Sequence, residues 1–121
     1  MRPAEGKIFY MTKHEEYNLA FNRAFLSNGI TRRYVASTIE NNPYESLTFM
    51  NALELDEIQY FIDSISLASK GQVYDPNFYK QQGTEACWIN FNEPNLNIDG
   101  LTINMVELQL LLQEWQAYLN S

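Results

Sequence analysis

Apolar positions near the end of the chain repeat with a helical period. Leu108, Leu111, Leu112, Trp115, Tyr118 and Leu119 fall at the i, i+3, i+4, i+7, i+10, i+11 spacing of a single helix face. Asn104 stands where an N-cap belongs and Glu107 follows three residues on, so the spacing predicts a capping box and a helix over 105–119. Upstream the period changes. Ala86 to Phe91 is a short β-prone run, and Asp99-Gly100 lies between Leu96/Ile98 and Leu101/Ile103, the pattern of a type I′ hairpin. The helix face needs a sheet to cover it, and these strands supply one.

Earlier segments carry the same grammar. Lys7 to Met11 is a strand candidate. Thr12 followed by Glu15 makes a T-x-x-E capping box, after which Tyr17, Ala20, Phe21, Ala24 and Phe25 share one helical face and Asn28-Gly29 offers a stop, predicting a helix over 13–28. Residues 30–40 alternate as a strand does and are also long enough to coil into a helix; their β-branched content favours strand. Asn41-Asn42-Pro43-Tyr44 is turn chemistry, so Ser46 to Met50 is expected to return antiparallel to it. Asp56 with Gln59 starts a helix over 56–70 whose apolar face is Ile58, Phe61, Ile62, Ile65 and Ala68, and Gly71 ends it. Gln72 to Thr84 shows no period and is expected to be a long irregular connection. Such loops often carry contacts, which makes Tyr74, Phe78 and Tyr79 candidate binding residues; the alternative is that they fold back over the core. The expected fold is α+β: one domain over 1–121, a mostly antiparallel sheet of about five strands, and three helices packed against it.

Charge narrows the partners. A net charge of −7 argues against a phosphate-backbone binder, which needs clustered Lys and Arg. No base follows Lys80 and none lies between Arg33 and Lys70, whereas Glu40, Glu45, Glu54, Asp56, Glu57 and Asp63 fill the second gap. Arg32 and Arg33, the adjacent bases, are expected to pair with this acidic excess. The single cysteine, Cys87, excludes an internal disulfide and reads as a core thiol. The N-terminal residues lack the apolar stretch of a signal peptide and no run is long enough to span a bilayer, so a cytoplasmic protein with no membrane partner is expected.

Catalytic patterns do not assemble. The one histidine, His14, sits just inside a predicted helix start, where a surface or capping role is expected, and the pairs Glu15/Glu16 and Asp56/Glu57 occupy first turns that favour acids anyway. There is no G-x-S-x-G, H-E-x-x-H, calcium loop or P-loop pattern, so no metal, cofactor or catalytic residue is assigned. The balance shifts to recognition, with acidic steering by Glu54, Asp56 and Glu57 and aromatic anchors at Tyr74, Phe78 and Tyr79. In overall format the last third, with its Asp-Gly hairpin and the helix NMVELQLLLQEW, resembles the immunity proteins that neutralise bacterial polymorphic or contact-dependent toxins. That resemblance implies a non-enzymatic inhibitor of a basic toxin domain, such as a nuclease. Rival readings are an anti-restriction DNA mimic, an adaptor subunit, and a small-molecule-binding domain or cryptic enzyme.

Overall fold

The computed structural model describes residues 11–82 and 85–121. Along the chain run α1 (Lys13–Glu16), β1 (Leu19–Phe25), β2 (Thr31–Ser37), a 3₁₀ segment (Glu45–Ala52), α2 (Leu55–Ser69), β3 (Asn77–Gln82), β4 (Glu85–Asn92), β5 (Asn95–Ile98), β6 (Leu101–Asn104) and α3 (Met105–Leu119). The class is α+β. The strands form two antiparallel sheets, β1-β2 and β3-β4-β5-β6, in place of the single sheet of about five expected. The strand expected at 7–11 lies outside the described residues apart from Met11.

The C-terminal third forms as its pattern dictates. Asp99 (φ 50°) and Gly100 (φ 91°) both take the left-handed conformation that a two-residue turn requires, and they join β5 to β6 with Ile98 opposite Leu101. The Asn104 carboxamide oxygen then accepts the amides of Val106 (2.9 Å) and Glu107 (3.3 Å), starting α3. Glu107 does not complete the expected capping box. Its carboxylate turns instead to Lys13 and Tyr17. Leu108, Leu111, Leu112 and Trp115 are buried along one face of α3, joined in the core by Ile89, Leu96, Ile98 and Ile103 from the sheet and by Ile58, Phe61, Ile62 and Ile65 from α2.

Helix α2 runs antiparallel to α3, since Gln59 meets Gln116 at one end while Ile62 and Ser66 meet Gln109 further along. Its start differs from expectation by a residue or two. Glu54, not Asp56, is the N-cap, and Glu57, not Gln59, returns the capping bond, accepting the Glu54 amide at 2.8 Å. The amide of Gln59 is drawn off by Asp63 and its carbonyl by Gln116. Gly71 (φ 69°) closes the helix as read.

The N-terminal half departs furthest. The Thr12–Glu15 capping box forms, yet the helix it starts lasts only four residues instead of reaching 28. Asn18 takes φ 56°, which breaks the helical run, and the chain continues as β1. Asn28-Gly29, read as a helix stop, is a hairpin loop, and β1 pairs with β2 from Leu19↔Ser37 to Phe25↔Thr31. Residues 31–37 are therefore a strand as favoured, but their partner is 19–25. The expected return strand at 46–50 is 3₁₀ helix. Asn51 explains why that segment can still sit beside β2: its side-chain amide donates to the Val35 carbonyl and accepts the Val35 amide, each at 2.8 Å, as a neighbouring strand would.

Substitutions at two positions test this architecture. Gly100→Val should lower stability by about 1–2 kcal/mol, because a β-branched residue resists positive φ. Apart from Gly100 and its chain neighbours, no atom of the described residues lies within 4 Å of a Cβ added there, so the loss is conformational and not a clash. Trp115→Ala, emptying a site that is 2% exposed, should cost about 3–5 kcal/mol. Trp115→Phe should cost far less, since the indole N–H has no acceptor among the described residues. Denaturant unfolding of the three variants measures both, and an unchanged midpoint for Gly100→Val would contradict the turn assignment.

Candidate functional site

The acidic residues singled out in the sequence cluster on the first turn of α2. Glu54 and Asp56 are exposed and Glu57 is half-buried. The Asp56 carboxylate accepts the Glu57 amide at 3.0 Å, so part of this charge also satisfies open helix amides. The antiparallel packing of α2 on α3 places the acidic turn beside the last turn of α3. One turn along α2, Tyr60, Phe61 and Ser64 line a shallow cleft whose other wall is Asp75, Asn77 and Phe91, with about 180 Å³ of empty, solvent-open volume. By helix spacing, Glu57, Tyr60, Phe61 and Ser64 share one side of α2, so the acidic turn borders this cleft.

The aromatic candidates separate. Tyr74 stays beside the cleft: its ring sits 4.8 Å from that of Phe91, and its hydroxyl donates to the Glu93 carboxylate. That bond, followed by burial, pushes the Tyr74 phenol up to about 12. Half-buried on the core, it covers Phe91 and does not project as a free contact residue. Phe78 and Tyr79 are not in a loop at all. They belong to β3, opposite Ile89 and Trp88 of β4, and the irregular stretch before them shrinks to about 72–76. The sequence missed this strand because Asn77, Lys80, Gln81 and Gln82 carry weak β propensity; pairing to β4 decides it.

A second polar cluster went unread. α1 lies across α3, and the carboxylate of Glu114 accepts the amides of Lys13 (2.8 Å) and His14 (3.0 Å) and pairs with His14 Nδ1 at 2.7 Å. The imidazole stacks on Phe21 at 4.0 Å. Glu107 binds Lys13 Nζ at 3.0 Å and accepts the Tyr17 hydroxyl at 2.9 Å. Burial raises Glu114, but the two amides and His14 outweigh it and its carboxyl ends below the ordinary value; Lys13 and then Tyr17 lower Glu107. Burial, then the bond to Glu107, pushes the Tyr17 phenol far up. These contacts span about 90–100 residues of sequence, and no local pattern announces them.

Thr12, His14 and Glu114 also fall in a row, with Thr12 Oγ1 3.4 Å from His14 Nε2. The geometry is that of a cap. The hydroxyl contact is long for a proton-transfer pair, Thr12 Oγ1 already accepts the Glu15 amide at 3.3 Å, and the Lys13 and His14 amides that could face an oxyanion point at Glu114. His14 therefore holds α1 to α3 and is more deeply built in than a surface or capping residue. Cys87 is half-buried against the core, and burial raises its thiol to about 11, opposite to the shift of an activated nucleophile. Arg33 does not take an acidic partner as expected. It donates to the Leu119 carbonyl at 2.8 Å and the Tyr118 carbonyl at 3.2 Å, closing the C-terminus of α3 where a cation is favoured.

Among the described residues, no group of three or more His, Cys, Asp or Glu is placed to hold a metal ion, and no helix is long and apolar enough to cross a membrane. Comparison with protein-family models, curated proteins and solved structures finds no match.

The α1–α3 contacts predict a pH dependence. Glu107 and Glu114 titrate below 4.5 when folded, so below that value the unfolded chain binds more protons and stability is lost as pH falls. Thermal midpoints measured from about pH 6 down to about pH 3 should drop. A Glu107→Gln/Glu114→Gln variant should be less stable at neutral pH and show a shallower acid slope; an unaltered slope would place the acid sensitivity elsewhere.

Proposed function

We propose that this protein is a non-enzymatic binding protein whose acidic face captures a basic protein partner, in the manner of a cytoplasmic immunity protein that blocks a basic toxin domain. The observation that carries the reading is the exposed pair Glu54 and Asp56 at the start of α2. Arg33 is bound to the end of α3, and Lys13 is paired with Glu107 and Glu16. The exposed carboxylates of Glu54 and Asp56 present a field that accelerates encounter with a basic surface. Tyr60, about half exposed one turn along, adds an aromatic contact beside the charge.

The rival readings are less well supported. A DNA mimic needs rows of outward carboxylates, whereas Glu107 and Glu114 turn inward and Glu15 and Glu57 serve helix starts. The cleft beside Tyr60 is shallow and open to solvent, unlike the concave pockets that bury most of a small ligand.

The structure refines the test of this reading. Glu57 holds the capping bond and should be left alone, while Glu54→Gln/Asp56→Asn removes two exposed charges and leaves isosteric groups in place. With a partner captured from the native host, this variant should associate more slowly, with a shallower salt dependence and little change in dissociation. Its thermal midpoint should stay within a few degrees of the parent. Association that remains equally fast and equally salt-sensitive overturns the acidic-face reading.

A further inference from the structure

We infer that the β1–β2 hairpin is a membrane-docking finger that seats its apolar tip in an anionic phospholipid surface. The charge of the chain is sharply segregated: residues 17–39 contain three of its eight bases, Arg23, Arg32 and Arg33, and none of its 15 acids. The hairpin is thus a cationic limb on an acidic body. Its base is anchored, with Leu19 and Val35 buried, Phe21 packed on Trp115 and Tyr118, and Arg33 bound to the end of α3. Beyond Arg33 the core contacts stop. Phe25 is 81% exposed, Ile30 58% and Leu26 42%, a group of large apolar side chains at one tip.

The tip is pre-formed. Leu26 donates its amide to the Ile30 carbonyl at 2.8 Å, Gly29 donates to the Leu26 carbonyl at 2.9 Å, and Asn28 Oδ1 accepts the Ile30 amide at 3.0 Å. Little order has to be gained on docking, and the apolar side chains of the tip are already presented to solvent. Strand alternation sets Arg23 on the same face as Phe25 and Arg32 on the opposite face. Both arginines are exposed, one to two residues behind the tip, where guanidinium groups meet lipid phosphates once the apolar side chains enter the interface. Peripheral docking of this kind needs no spanning helix.

The alternative occupants are weaker on the same observations. A second copy offers acidic charge but carries the same net charge of −7, which opposes self-association. A protein partner must combine an apolar pocket with an acidic rim, the reverse of the basic partner proposed for the α2 turn.

Co-sedimentation with vesicles tests the inference. The intact protein should bind vesicles of phosphatidylcholine with about 30% phosphatidylglycerol, bind phosphatidylcholine alone much more weakly, and be released by salt. Arg23→Gln/Arg32→Gln should lower partitioning about tenfold or more. Phe25→Thr/Ile30→Ser should abolish it while circular dichroism and thermal midpoint stay native, because these side chains are exposed. A Phe25→Trp variant should show added emission quenched by lipids brominated along the acyl chain. Three results overturn the finger: no binding to anionic vesicles, undiminished binding by both double variants, or loss of binding to a captured protein partner in those variants with vesicles ignored by all forms. None of them bears on Glu54 and Asp56.

Discussion

Burial of the apolar face of α3 is the constraint on which the remaining elements depend. Leu108, Leu111, Leu112 and Trp115 have almost no exposure, and three separate structures are needed to achieve it: the four-stranded sheet, α2 and the β1–β2 hairpin with α1. Each buried side chain of this size contributes about 1.5–3 kcal/mol relative to exposure, so a helix with one uncovered flank would forfeit much of its stabilisation. Trp115 marks the junction, with Phe21 at 5.1 Å and Tyr118 stacked at 5.8 Å. The hairpin is therefore held by an aromatic contact at its base while its far end is left to solvent.

Electrostatics follow from that packing. Laying α1 across α3 draws Glu107 and Glu114 inward, where Lys13, Tyr17, His14 and two backbone amides satisfy them. Two of the five acids after Lys80 thereby become fastenings. Arg33 is likewise consumed at the end of α3. Among the charges left exposed are the acidic first turn of α2 and the arginines of the hairpin, both near the same end of α3. The proposed partner contact and the membrane finger draw on these two groups, and they use different residues.

Buried and half-buried polar groups supply the specificity of the N-terminal half. Asn42, 6% exposed, donates to the carbonyls of Tyr17 and Asn18 and to Ser37, and accepts the Tyr44 amide. Asn51 substitutes for a strand along Val35. Such groups are costly unless fully paired, so each strongly favours one arrangement of α1, the hairpin and the 3₁₀ segment.

The sequence by itself determined the elements whose signals are local and unopposed. Asp99-Gly100 requires positive φ at adjacent residues, Asn104 caps the next helix, and the α3 stripe has one helical reading; all three are present. The apolar stripe of α2 and the Thr12–Glu15 capping box were equally legible, because periodicity and caps act within a few residues, although the α2 cap itself is Glu54 and not Asp56. Tertiary structure decided the rest where local signals were degenerate. Phe21 and Phe25 suit a helix face and also alternate in a strand, Asn28-Gly29 ends helices and also turns hairpins, and only pairing with 31–37 and contact with Trp115 select the hairpin. Of the candidate site, Glu54, Asp56 and Glu57 were legible as a cluster because they are adjacent in sequence. The commitment of Glu107 and Glu114 to α1, the placement of Phe78 and Tyr79 in β3 and the seating of Tyr74 on Phe91 depend on contacts between distant or neighbouring elements. No short-range pattern encodes which surfaces such elements will share.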